Sequence, residues 1–177
     1  MSFNLFVRQS EIHFMKPIFY SGYVPGAIGR IVQLHSDFYS REAGFGLAFE
    51  TKVATEICDF LKRYDASTDL LTLAIVNGSI EASIAIDGSN AGEKGAHLRW
   101  FIVSDALKGQ GIGSALLRMA VAHSDSKEFS KTYLWTFEGL DVARHLYAKF
   151  GFRLVHEKRG NQWGKEVNEQ MYIRGDA

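Results

Sequence analysis

The sequence predicts an α/β fold, and three observations carry that prediction. Apolar runs typical of strands alternate with amphipathic stretches of helical period along the 177 residues, in the order β, α, α, β, β, β, α, β, α, β, β. The dipeptide Asn77-Gly78 separates two apolar runs, which is typical of a β-hairpin with a two-residue turn. A further apolar run ends at Val103 and leads through a glycine-rich loop into a helix, a layout that forms an anion site from backbone N–H groups.

Each element follows from its own pattern of apolar, polar and turn residues. The predicted elements are, in order, a strand at Ile18–Tyr20, helices over Ala27–Ser40 and Glu50–Arg63 on either side of an aromatic loop at Gly44–Phe49, strands over Leu71–Val76 and Ser79–Ile86, a polar loop over Asp87–Gly95, a strand over His97–Val103, a helix from Ile112 to about His123, a strand over Lys131–Phe137, a helix over Asp141–Phe150, and strands over Phe152–Glu157 and Val167–Ile173. Residues 1–18 show no clear period and are predicted to be an N-terminal extension or part of the first strand. Residues 19–177 are predicted to form a single domain, because the length and the 46% apolar content support one core.

Three glycines, Gly109, Gly111 and Gly113, lie in the loop after the His97–Val103 strand. Without β-carbons they allow a phosphate to approach the main chain at the positive end of the following helix, so a pyrophosphate is the predicted occupant. The loop is not a P-loop, because Lys108 precedes the glycines instead of following them. It matches a dinucleotide-binding loop poorly, because its spacing differs and it lies late in the chain. On this segment alone, a turn that merely links a strand to a helix stays open.

A second segment settles the choice. Residues 142–152 place apolar side chains on one helical stripe, and Gly151 supplies a left-handed stop before the next strand. The loop Lys108-Gly-Gln-Gly111-Ile-Gly113 and the helix Ala143-Arg-His-Leu146-Tyr147-Ala-Lys-Phe-Gly151-Phe152 together resemble the GCN5-related N-acetyltransferase (GNAT) superfamily. That superfamily has Gln/Arg-x-x-Gly-x-Gly/Ala in the loop, with lysine here in the first position, and Ala-x-x-Leu-Tyr-x-x-x-Gly-Phe in the helix.

The sequence is also similar to those of acetyltransferase domains that are fused to MarR-type transcription regulators. That likeness lies in Ile28-Gly-Arg-Ile31, the Gly44-Phe-Gly stretch and Trp135-Thr-Phe137. No winged-helix segment precedes the domain in this sequence, so a DNA-binding role is not carried over.

The resemblance implies a three-layer fold, in which a central mixed sheet of six to seven strands is covered by about four helices. It also implies that the strand at Trp100–Val103 and its parallel neighbour at Tyr133–Phe137 splay apart, with a β-bulge in the former, so that the gap admits the pantetheine arm of acetyl-CoA. Acetyl-CoA, or another acyl-CoA, is therefore the cofactor that the resemblance implies. The expected cofactor-binding residues are Phe101, Ile102, Val103, Lys108, Gly109, Gln110, Gly111, Ile112, Gly113, Ser114, Ala115 and Arg144. Leu140 departs from the family, because asparagine is usual at this position.

The activity implied is transfer of an acetyl group to a primary amine of a small molecule or peptide, by direct attack in a ternary complex. Tyr147 stands where the family often has the general acid, and the alternative is a core tyrosine with a local hydrogen-bond partner. His97 is a candidate general base, because its ordinary pKa is about 6.5 and it shares a strand face with Arg99. Deprotonation through water is an equal alternative. A different class of function, an acyl-CoA-binding sensor without turnover, also stays open.

Selection of the acceptor in this fold falls to the loop between the first two helices and to the segment before the last strand. The expected acceptor-pocket residues are Phe38, Tyr39, Phe45, Phe49, Arg99 and Trp163. An aromatic-lined pocket is one interpretation of this set, and core packing is the alternative for the phenylalanines.

Composition and charge exclude several kinds of partner and location for this protein. The net charge is zero with no basic block, so nucleic acid is not expected as a partner. No apolar run approaches the length of a membrane span, the N-terminal residues do not resemble a signal peptide, and the single Cys58 cannot form an internal disulfide, so a cytoplasmic location is expected. The six histidines are too scattered for a metal site, and no metal is expected. By analogy with the family, the chain is a candidate homodimer.

Overall fold

A computed structural model describes residues 16–175 of the chain. Its strands and helices are β1 (Ile18–Ser21), α1 (Ala27–Ala43), α2 (Leu47–Lys62), β2 (Leu70–Val76), β3 (Ser79–Asp87), β4 (Ala96–Val103), α3 (Ile112–Ser126), β5 (Lys131–Phe137), α4 (Asp141–Lys149), β6 (Arg153–Gly160) and β7 (Val167–Gly175), with a 3₁₀ turn at Asp105–Leu107. Every predicted element is present. Most of the predicted N-terminal extension, residues 1–15, lies outside the described residues.

The strands form one seven-stranded sheet in the order β1-β2-β3-β4-β5-β7-β6. All neighbouring pairs are antiparallel except β4 and β5, which are parallel. The hairpin between β2 and β3 turns at Asn77 and Gly78, whose φ angles of 51° and 78° are the positive values that this two-residue turn requires. The predicted mixed sheet is therefore confirmed.

Helices cover both faces of the sheet, which confirms the predicted three layers. On one face, Ile31 of α1 and Ile57 and Phe60 of α2 are fully buried in one apolar cluster. On the other face, Leu116 and Leu117 of α3 pack in a second cluster, which also holds apolar residues of α4. The sheet thus supports two cores, and the ends of its central strands are left for function.

The connection between α1 and α2 is shorter than the sequence predicts. Helix α1 runs on to Ala43 and ends at Gly44, which adopts a left-handed φ of 66°, and α2 begins at Leu47. The predicted aromatic loop is thereby reduced to three residues. Phe45 is buried within it, and Phe49 belongs to the first turn of α2.

None of the helices within residues 16–175 combines the length and the apolar content needed to cross a bilayer.

Candidate active site

The sheet opens between its two parallel strands. β4 and β5 pair only at Ala96 with Thr132 and at His97 with Tyr133, and beyond these positions the strands diverge. The splayed parallel pair is therefore present where it was predicted. It leaves a gap in the middle of the sheet that begins beside Leu98.

A β-bulge in β4 lies at this gap. Arg99 pairs with Ala85 and Ile102 pairs with Ser83, so β4 contains one residue more than β3 over this stretch. Trp100 takes a positive φ of 45° at the bulge. The bulge changes the alternation of side chains, and Trp100 packs in the cluster of α1 and α2. Leu98, two residues earlier, packs in the cluster on the opposite face, so the regular alternation of a strand is broken at Trp100.

The bulge is held by a serine that sequence reasoning did not single out. Ser83 is fully buried in β3, and its hydroxyl donates a hydrogen bond of 2.7 Å to the carbonyl oxygen of Trp100. The described chain has no cis peptide bonds, and in a trans peptide the carbonyl and the next N–H point in opposite directions. Because the Trp100 carbonyl is fixed toward β3, the N–H of Phe101 is directed away from β3, on the side of the gap.

A groove of about 820 Å³ runs from the bulge along the start of α3 and α4. Of the predicted cofactor-binding residues, those that line it are Phe101, Ile102, Val103, Lys108, Gly109, Gly111, Ile112, Gly113 and Ser114. Gly109 and Gly111 have φ angles of 75° and 77°, and a β-carbon at either would meet no atom of the described chain within 4 Å. These two glycines are therefore required by backbone conformation, and the space beside them is open to a ligand. No side chain of residues 16–175 caps α3, so the first N–H groups of that helix remain available.

Three of the predicted cofactor residues, Gln110, Ala115 and Arg144, are not among those that line the groove. The Gln110 amide donates to the Ala106 carbonyl oxygen at 2.9 Å, and Arg144 pairs with Asp141 at 2.9 Å. Leu140, which replaces the usual asparagine, does line the groove and contributes an apolar surface there.

A second cavity, of about 160 Å³, lies on the α1 and α2 side of the gap. Of the predicted acceptor residues, it is lined by Tyr39, Phe45, Phe49, Arg99 and Trp163, and also by His97. Phe38 lies elsewhere: it lines the groove, where the Lys108 ammonium is 5.0 Å from the centre of its ring. Phe38 thus lies apart from the other five predicted acceptor residues, because adjacent residues of a helix point about 100° apart.

Three residues line both the groove and the cavity: Tyr39, Phe101 and Tyr147. Tyr147 is 7% exposed, and its ring packs 6.2 Å from that of Phe101 between centroids. Among the tyrosine hydroxyls of residues 16–175, those of Tyr64 and Tyr172 donate hydrogen bonds, and that of Tyr147 does not. Burial raises the pKa of Tyr147 well above its ordinary value, and burial raises the pKa of Tyr39 to about 12. Both hydroxyls therefore stay protonated at neutral pH.

His97 lines the cavity but is a weak base. Its ring stacks on Tyr133 with centroids 4.4 Å apart. Burial, together with the nearby Arg99 guanidinium, lowers the pKa of His97 to about 3, although Asp87 acts in the opposite sense. The imidazole is therefore neutral at pH 7 and is a much weaker proton acceptor than an ordinary histidine.

Ionic side chains line the cavity beside His97. Lys52 and Glu56, one turn apart on α2, pair at 2.5 Å, and Glu56 also accepts a hydrogen bond from Arg99. Sequence reasoning missed Lys52 and Glu56. Their i, i+4 spacing indicates an ion pair on a helix, but this spacing is common on solvated helix faces and does not by itself indicate a site.

The segment before β7 closes the cavity. Glu169, 1% exposed, accepts a hydrogen bond of 2.9 Å from the N–H of Gln162, next to Trp163. Lys165 donates from its ammonium to the Ala43 carbonyl oxygen at 2.6 Å, which ties this segment to the end of α1. These contacts place the Trp163 ring 6.1 Å from that of Phe45.

Within the described part of the chain, no group of three or more His, Cys, Asp or Glu residues is arranged to hold a metal ion.

Comparison with known proteins identifies the family. The model of the acetyltransferase (GNAT) family matches residues 30–152, which is more than half of the chain. A comparison with curated proteins found no match.

Solved structures share the fold at low sequence identity. An acetyltransferase from Streptococcus agalactiae has a TM-score of 0.71 at 18% identity, over 92% of this chain and 100% of that one. The yncA protein of Salmonella typhimurium, solved with its cofactor acetyl-CoA, has a TM-score of 0.71 at 10% identity, over 92% and 96%. The PaiA N-acetyltransferase of Thermoplasma acidophilum, solved with coenzyme A, has a TM-score of 0.69 at 12% identity, over 92% and 100%. With the family match, the splayed strands and the glycine loop, these likenesses lead to one conclusion: the chain belongs to the acetyltransferase (GNAT) family.

Proposed function

We propose that the protein transfers the acetyl group of acetyl-CoA to the primary amine of a small molecule, by direct attack within a ternary complex. The observation that carries this proposal is that the groove and the cavity meet at the bulge of β4, where Phe101 and Tyr147 line both. A donor in the groove and an acceptor in the cavity therefore reach the same point from opposite sides of the sheet. The small cavity favours a small molecule over a peptide as the acceptor.

The groove suits acetyl-CoA, which supplies an acetyl thioester when it is bound. We assign the pyrophosphate to the N-terminus of α3, where Gly109 and Gly111 leave open space and the first N–H groups are uncapped within the described chain. The pantetheine arm then follows the apolar wall of Val103 and Leu146 toward the gap. The structures of relatives named above, solved with acetyl-CoA or coenzyme A, support this assignment.

The bulge supplies the group that stabilises negative charge on the thioester oxygen. Because Ser83 holds the Trp100 carbonyl toward β3, the N–H of Phe101 is directed to the side where β4 and β5 part. A fixed N–H donor in a site of low polarity stabilises a developing oxyanion without reorganisation. We assign this role to Phe101.

Tyr147 is the general acid in this mechanism. The Tyr147 side chain lines both the groove and the cavity, its hydroxyl donates no hydrogen bond within residues 16–175, and burial raises its pKa, so it is protonated at neutral pH. It would donate its proton to the sulfur of coenzyme A as the carbon–sulfur bond breaks. We assign no side chain as the base, because the lowered pKa of His97 makes it a poor acceptor, and the amine proton leaves through water.

The first test is Tyr147→Phe, which removes the hydroxyl and keeps the ring. Loss of a general acid is expected to lower kcat by about 10²- to 10⁴-fold, with the affinity for acetyl-CoA changed little. Tyr172→Phe is the matched control, because that buried ring packs 5.9 Å from Tyr147 but lines neither the groove nor the cavity. Thiol release from acetyl-CoA across a library of amines measures turnover, and calorimetry measures binding. Binding of acetyl-CoA without turnover on any amine would favour the alternative of a sensor module.

The second test is Gly111→Ala, which addresses the donor site. Gly78→Ala in the β2–β3 hairpin is its control, because Gly78 and Gly111 have φ angles of 78° and 77° and neither has an atom within 4 Å of an added β-carbon. Both variants are expected to lose about 1–2 kcal/mol of unfolding free energy from the left-handed backbone. Only Gly111→Ala should weaken acetyl-CoA binding. Equal affinity for acetyl-CoA in the two variants would show that the glycine loop is not part of the donor site.

A further inference from the structure

Charged side chains run in an alternating series from the cavity into the protein. Their order is Lys52, Glu56, Arg99, Asp87, Arg63, Asp69, and each contacts the next within 3.7 Å. Positive and negative groups alternate, so every interior member lies between two groups of opposite charge. Each of the two end residues has only one ionic partner within the series, so the surroundings of the ends determine where its charge is left uncompensated.

The inner end is satisfied by the backbone. Asp69 is 2% exposed and accepts hydrogen bonds from the N–H of Gly88 at 2.8 Å and from the N–H of Asp65 at 3.1 Å. Peptide N–H groups therefore stabilise the negative end in addition to Arg63. An external cation is not required there.

The outer end is positive and lies at the cavity. Lys52 and Arg99 share a single carboxylate, Glu56, and all three line the cavity. Asp87, the second partner of Arg99, is not among the lining residues, and Arg63 also pairs with it. The charged lining of the cavity is thus two cations and one anion, and His97 adds no charge because burial lowers its pKa to about 3.

Both cations keep donors for a ligand. The Arg99 guanidinium stacks 4.2 Å from the centre of the Trp100 ring, which fixes its plane, and it has five N–H donors for two carboxylate partners. The Lys52 ammonium has three donors and pairs with Glu56 alone within the described residues. A rigid guanidinium beside an ammonium matches the fork of a carboxylate.

We propose that the acceptor is an amino acid or a similar small amine that carries a carboxylate, with that carboxylate bound by Lys52 and Arg99. This inference rests on the proposed function, because it places the amine of the same acceptor toward Phe101 and Tyr147. The aromatic walls of the cavity, among them Phe49 and Trp163, contact the apolar part of the acceptor. Specificity then comes from the charged end of the cavity.

The test compares phenylalanine, phenylalaninamide and phenylethylamine as acceptors, and leucine with its amide and its decarboxylated amine. The amine of the amide is less basic than that of the acid, and the decarboxylated amine is more basic, so a preference for the acid over both does not arise from basicity. We expect kcat/KM for one of the acids to exceed that of both analogues by about 10- to 100-fold, the range of one charge-assisted hydrogen bond.

In Lys52→Gln and Arg99→Gln, the ratio of kcat/KM for the acid to kcat/KM for its analogues is expected to fall toward one. The affinity for acetyl-CoA is expected to stay unchanged. Lys52 is 35% exposed, so its variant should fold even if the more buried Arg99 variant does not. Lys62→Gln is the matched control, because it removes an exposed lysine of the same helix that pairs with Asp59 at 3.4 Å and does not line the cavity. The control should keep the full preference.

The inference would be overturned if the wild type had the same kcat/KM for the acid, the amide and the decarboxylated amine. It would also be overturned if Lys52→Gln lowered kcat/KM for all three by the same factor. Absence of thiol release with every amine would instead refute the proposed function. Calorimetric binding of the three probes to the protein saturated with coenzyme A then decides the inference separately: tighter binding of the acid, lost in Lys52→Gln, supports it, and equal binding overturns it.

Discussion

Acidification should destabilise this protein through His35, and the size of the effect follows from the surroundings of that side chain. His35 lies on α1, is 5% exposed, and its Nδ1–H donates to the Ile31 carbonyl oxygen at 2.8 Å. Burial lowers the pKa of His35 from 6.5 to about 4, and the bond to Ile31 opposes this only in part. The native state therefore holds the ring neutral where the unfolded chain would already protonate it.

The sign and the magnitude follow from proton linkage. Because the unfolded state binds the proton first, the stability is present above pH 6.5 and is lost as the pH falls toward 4. With these two pKa values, lowering the pH from 7 to 5 reduces the unfolding free energy by about 2 kcal/mol through this residue alone. That is a large share of the total stability of an ordinary domain.

Urea unfolding at pH 7 and pH 5, followed by circular dichroism, measures the effect in the wild type and in His35→Gln. Glutamine is neutral at both pH values and is tolerated in a helix, so the variant should lose about 2 kcal/mol less than the wild type between the two conditions. The difference isolates His35 from His97, whose pKa is also lowered and which is present in both proteins. An equal pH dependence in the two proteins, or an NMR titration of His35 with an ordinary midpoint, would refute the reasoning.

Two further substitutions test the contacts that shape the site. Ser83→Ala leaves the buried Trp100 carbonyl without its 2.7 Å partner, so we expect a loss of about 1–3 kcal/mol in urea unfolding. Ser83→Ala should also lower kcat without a matching rise in the KM for acetyl-CoA. An unchanged kcat would show that the bulge has no role in catalysis. Gly160→Ala places a β-carbon against the buried Glu169 carboxylate, so overpacking should cost about 1–3 kcal/mol. The same variant should raise the KM for the amine, because Glu169 holds the N–H of Gln162 beside Trp163; a KM equal to that of the wild type would show that this anchor does not shape the cavity.

Much of the fold could be predicted from the sequence because the signals are local. The Asn77-Gly78 turn depends on two adjacent residues that tolerate positive φ, and both adopt it. The loop at Gly109 and Gly111 depends on the same conformational freedom, and both line the groove. The stripe of α4 that includes Tyr147 depends on helical periodicity over its 9 residues.

The candidate site was predictable only in part, because its remaining members come together from distant parts of the chain. Ser83 contacts Trp100 across two strands, and its role depends on a bulge that exists only once β3 and β4 pair. Phe38 and Tyr39 look equivalent in the sequence, but the orientation of α1 sends one to the groove and the other to the junction of groove and cavity. The role predicted for His97 depended on an ordinary pKa, which burial in the folded protein removes.

The amino-acid sequence alone determines the order of strands and helices, the hairpin turn and the backbone conformation of the glycine loop. These features depend on the conformational preferences of neighbouring residues, which act over a few positions along the chain. Tertiary structure alone decided the direction of the Phe101 N–H and the ionic series from Lys52 to Asp69, whereas the gap between β4 and β5 was implied by the family resemblance and is present in the fold. Pairing between strands, burial and the approach of opposite charges depend on distances between residues that only the packed chain brings together.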